Sequence, residues 1–64
     1  MVRRFDTVAL RRGIPDRGLA EGAVGQVIHV YTGDVVFEVE FAIEGRPATV
    51  LTLTSTDVCP LAEV

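Results

Sequence analysis

The run Val35-Val36-Phe37-Glu38-Val39-Glu40-Phe41 alternates without a break. Val35, Phe37, Val39 and Phe41 fall on one face, with Val36, Glu38 and Glu40 on the other. That period of two belongs to a strand with one buried side. Just upstream, Leu19 to Tyr31 carries a second strand pattern punctuated by Gly22 and Gly25. Together they commit the chain to a small antiparallel β protein and leave little of it for chemistry.

The rest of the chain agrees. Phe5 to Leu10 reads as a first strand, with Asp6, Val8 and Leu10 on one side. Arg11 to Glu21 is a long loop rich in turn chemistry (Arg12-Gly13, Ile14-Pro15-Asp16, Arg17-Gly18), with Ile14 and Leu19 pinning it to the core. The second strand runs from Val24 to Tyr31, and its glycines permit the tight curvature of a barrel corner. Gly33-Asp34 closes a hairpin to the third strand, Val35 to Ile43. Glu44-Gly45-Arg46 turns into the fourth, Ala48 to Thr54. Ser55 to Asp57 suits a single 3₁₀ turn, and Val58 to Leu61 forms a short closing strand in which Pro60 requires an edge or an end. The expected fold is all-β: one domain over residues 1–64, a small five-stranded antiparallel SH3-like barrel with a long loop after its first strand.

The expected interior is Val8, Leu10, Val24, Val27, Val30, Phe37, Val39, Phe41, Leu51 and Leu53. Val27 and Val30 differ in parity, so the strand is expected to change the face it presents where it curls at Gly25.

Composition narrows the function. A chain of 64 residues lies near the lower limit for folding unaided, and one cysteine with one histidine builds neither a disulfide nor a structural zinc site. Stability must come from apolar burial. At 48% hydrophobic residues the chain has more apolar surface than it can hide, so burial against a protein partner or a second copy, as a homo-oligomer, is expected. No run approaches the ~20 apolar residues of a membrane span. No apolar segment follows Arg3 and Arg4 as in a signal peptide, so the expected location is cytoplasmic.

Charge is uneven. Residues 1–17 hold five arginines against two aspartates, a balance of +3, whereas residues 18–64 hold Arg46 against seven acids, a balance of −6. An acidic chain without lysine is a poor general ligand for polyanions, and nucleic-acid binding is not expected.

The segments Asp6–Leu10, Ile14-Pro15, Gly18–Tyr31, Phe37–Phe41 and Leu51–Leu53 resemble a family of short bacterial proteins known as domain of unknown function 4926. The G-x-x-G-x-V spacing and the F-x-V-x-F run are also similar to KOW-type barrels of ribosomal and transcription proteins. The resemblance implies a fold and supplies no catalytic residue.

Candidate chemistry is sparse. His29 lies across from Glu38 or Glu40 in the hairpin, where a cross-strand ion pair is the expected role. Glu38 and Glu40 share an open strand face with no enclosing pocket, and Cys59 has no base beside it. Neither a catalytic constellation nor a cofactor or metal site is expected. The surface singled out for partner binding combines Phe5 and Tyr31 with Arg11, Arg12, Ile14, Arg17 and Leu19 of the long loop. The leading reading is a non-enzymatic protein-interaction module, antitoxin-like or immunity-like in role. The alternative is a KOW-like nucleic-acid module using the N-terminal arginines.

Overall fold

The computed structural model describes residues 2–61. Five strands, β1 (Thr7–Leu10), β2 (Val24–Val30), β3 (Val36–Phe41), β4 (Thr49–Thr54) and β5 (Val58–Pro60), form one antiparallel sheet in the order β4-β3-β2-β1-β5. If the sheet were flat, β4 and β5 would lie four strand spacings apart, about 19 Å. Yet they are consecutive in the chain, and the Asp57 N–H closes the link on the Thr54 carbonyl at 2.9 Å. The sheet must therefore curl until its two ends approach, which is the SH3-like barrel expected.

The concave side is dry. Val8, Leu10, Val27, Phe37, Val39, Phe41, Leu51 and Leu53 are buried there together with Val2, Leu19 and Val58. Gly25 faces the same interior, and its missing side chain is what admits the Phe41 ring, as a Cβ at that position would lie 2.8 Å from two ring carbons.

Several expectations fail, each for a local reason. Val24 was expected in the core and is 53% exposed. The irregularity that lets both Val27 and Val30 point inward is a bulge between Val27 and His29, not a curl at Gly25. Val24, ahead of the bulge, keeps the outward parity, while Val30 is only half-buried against the core. Val35 was expected beside Phe37 but lies in the hairpin turn, exposed, after an Asp34 with φ of 58°. Phe5 does not begin β1. It occupies a left-handed turn with φ of 76°, unusual for a bulky side chain. The 3₁₀ turn forms at Pro15–Arg17 rather than at Ser55 to Asp57. There proline sets the first φ, and Gly18 closes the turn at φ 69°.

Candidate interaction surface

The seven residues expected to form one partner surface are divided between the two ends of the β1–β2 pair. Phe5 and Tyr31 lie at the end where β1 begins and β2 finishes. Phe5 is held by its N–H on the Val27 carbonyl at 2.6 Å, and its ring lies 4.8 Å beneath the Arg4 guanidinium. Beside them Val2, Arg3, Arg4, His29, Val30 and Asp34 line a cavity of about 340 Å³. Arg11, Arg12, Ile14, Arg17 and Leu19 belong to the opposite end, in the loop joining β1 to β2.

That loop is folded onto the molecule. Ile14 and Leu19 exchange backbone hydrogen bonds of 2.7 and 3.1 Å, which turns Leu19 inward to 6% exposure. Leu19 is thus a core residue and offers no surface to a partner. Arg11 is spent on its own chain, its Nε donating to the Val58 carbonyl at 3.0 Å. Arg12, with Leu10, Gly13, Ile14, Leu53, Thr56 and Asp57, lines a cavity of about 370 Å³ under the loop. The N-terminal arginines are split in the same way, and Arg46 joins the loop group, its guanidinium against Gly18.

The convex face of the sheet is the surface that sequence reasoning missed. Register places its side chains in rows across the strands. In one row Cys59, Ala9 and Val24 are neighbours. Val24 and Ala42 border a shallow cavity of about 310 Å³, shared with Thr7, Gln26 and Glu40. The next row is Thr7, Gln26, Glu40 and Val50, and Val50 is 47% exposed. The apolar part of this half is a small cluster around Val24, with Ala9, Cys59 and Ala42; Val50 stands apart from it across Gln26 and Glu40. The signal was in the sequence: Leu51 and Leu53 cannot both point inward without sending Val50 outward.

The other half is polar. His29 pairs in register with Glu38, one of the two glutamates expected opposite it. The expected ion pair gives way to another arrangement, because Glu38 takes its hydrogen bonds from the Tyr31 hydroxyl at 2.5 Å and the Thr52 hydroxyl at 3.0 Å. His29 instead sets its ring edge-on to Tyr31, centroids 4.7 Å apart. The phenol of Tyr31 is raised above its ordinary value near 10, first by the bond to Glu38, then by desolvation and by the carboxylate charge. Folding thus holds the proton more tightly than the unfolded chain does. The resulting stability is complete below pH ~10 and is lost as pH rises through the higher folded value. With one tyrosine and no tryptophan, phenolate absorbance reads this group directly. Its midpoint should lie above that of unfolded protein and return toward it in Glu38→Gln; equal midpoints in wild type and variant would contradict the bond.

Among the described residues no three potential metal ligands gather, and no helix is long and apolar enough to cross a membrane. No curated protein and no solved structure matches the chain. A family model described as "Domain of unknown function (DUF4926)" matches residues 4–60. The curled five-stranded sheet is therefore the fold of a family member, and the chain belongs to the DUF4926 family.

Proposed function

We propose that this protein is a non-enzymatic protein-interaction module of the bacterial cytoplasm, docking a protein on the apolar cluster around Val24 on its convex face. The observation that carries the reading is Val24, 53% exposed, in a row with Ala9 and Cys59 on paired strands and bordering one cavity with Ala42 just beyond β3. Single exposed apolar residues are ordinary on any surface, whereas a contiguous patch marks a contact surface. Masking a neighbouring gene product, as an antitoxin or immunity protein does, is a role such a face would serve.

The test is capture from the native host with tagged wild type, Val24→Asp, and an Arg11→Ala/Arg12→Ala double variant. Val24→Asp should lower recovery of the captured protein about tenfold or more, the weight of one central contact. The arginine variant should leave it unchanged. Equal capture by a folded Val24→Asp variant would overturn the reading. Recovery that depends on the two arginines and is abolished by nuclease would favour the nucleic-acid alternative, for which Arg11, Arg12, Arg17 and Arg46 share one end of the molecule.

A further inference from the structure

The sheet has two edges, and the chain treats them differently. On β5, the Leu61 N–H meets the Thr7 carbonyl and the Asp57 carbonyl accepts from the Arg11 N–H. Bonded and non-bonded pairs alternate in an antiparallel ladder, so the residues between, Val58 and Pro60, turn their backbone groups outward. Pro60 has no N–H to offer, and Arg11 Nε covers the Val58 carbonyl. A proline and a long basic side chain are means by which natural sheets blunt an edge.

On β4 the Ser55 N–H bonds the Val35 carbonyl at 2.9 Å, and the register runs on from there without a bulge. By the same alternation Leu53, Leu51 and Thr49 bond to β3, while Thr54, Thr52 and Val50 face outward. Thr54 is satisfied within the chain, its N–H on Asp57 Oδ2 and its carbonyl on the Asp57 N–H, each at 2.9 Å. Among the described residues Val50 and Thr52 have no such partner. Their four backbone groups lie open along Thr-Val-Leu-Thr-Leu-Thr, a strand with no charge and no proline.

We propose that this edge pairs with the same edge of a second copy, antiparallel about a twofold axis at Leu51. The proposal deepens the protein-interaction reading, on which it rests, by naming one partner. In this register Val50 lies opposite Thr52 of the second copy, and Thr52 opposite its Val50. Four hydrogen bonds then form and use all four open groups of each chain. A shift of one residue would set inward faces against outward ones. A shift of two in one direction brings Val50 onto Thr54, whose groups Asp57 already holds; in the other it brings Thr52 onto Ala48, outside the strand. Charge fits as well. A net −3 opposes association in general, but β4 itself is uncharged, so no like charges meet along the paired edge. The two convex faces then join on the same side of one continuous sheet, with the two Val50 side chains diagonal neighbours across the seam.

Light scattering at micromolar concentrations tests it, on wild type and on a Val50→Lys/Thr52→Lys double variant. Each new lysine lies across from Glu40 or Glu38 of its own chain, which favours the fold, while lysines of the two copies are set opposite each other. Wild type should give twice the 6.9 kDa of one chain and the variant a single chain mass with an unchanged β spectrum. If the double variant fails to fold, Thr52→Pro serves instead, since it removes an outward backbone donor and leaves every backbone bond to β3 in place, losing only the exposed hydroxyl bond to Glu38. A monomeric wild type, or a dimer that survives either folded variant, overturns the proposal. Wild type found monomeric yet still capturing a host protein through Val24 would remove the dimer and leave the interaction reading standing. A dimer with capture indifferent to Val24→Asp would do the reverse.

Discussion

Phe37→Ala is expected to leave the protein largely unfolded at room temperature. Phe37 is fully buried, and β2 and β4 flank it, with Val30 and Leu53 directly across. Truncating a buried phenylalanine costs about 3–5 kcal/mol, transfer and cavity combined. A chain of this length has about 3–10 kcal/mol in total. Phe41→Ala should behave alike, because Phe41 is 1% exposed. The measurement is a denaturant titration followed by far-UV circular dichroism. Full cooperative transitions with unshifted midpoints in both variants would contradict the core described here.

Gly25→Ala should be nearly as damaging, although it adds one methyl group. The new carbon would stand 2.8 Å from Phe41 Cδ2 and Cε2 and from Val39 Cγ1, closer than van der Waals contact allows. None of these is the free end of a flexible side chain, since Val39 and Phe41 are both buried. Overpacking of this kind costs about 1–3 kcal/mol. For a domain of this size that lowers Tm by roughly 5–20 °C. Gly25 has an ordinary φ, so any destabilisation reports the packing of the Phe41 ring and Val39 over β2 and not backbone strain. A Tm equal to wild type would show that β2 and the Phe41 ring are not in contact.

How much of this was legible in the sequence follows from what each signal measures. The alternation of β3 is a local property, and it located Phe37, Val39 and Phe41 in the core correctly. That His29 faces Glu38 or Glu40 was legible from strand parity across a short hairpin, and the structure selects Glu38. Val24 was misplaced because a bulge is a property of two strands, and nothing in Val27-Ile28-His29 by itself announces it. Phe5 reads as a strand residue by propensity; the Arg3–Asp6 turn that forces its φ depends on Asp6 Oδ2 accepting from the Arg3 N–H. The seven residues of the expected partner surface are divided for a topological reason. Residues 5 and 11 are close in sequence, but a strand lies between them and carries them to opposite ends of the barrel. The exposed convex face and the open β4 edge become visible only once the strand order is known.

Amide-resolved hydrogen exchange at high and low protein concentration tests most directly the claim that this barrel leaves a strand edge for protein contact. Leu51, Leu53 and Phe37 bond within the chain and should exchange slowly at both concentrations. The Val50 and Thr52 amides should be protected at high concentration and exchange freely on dilution. Fast exchange of both amides at every concentration, with Leu51 and Leu53 still protected, would show an edge that is open and unused and would contradict the account.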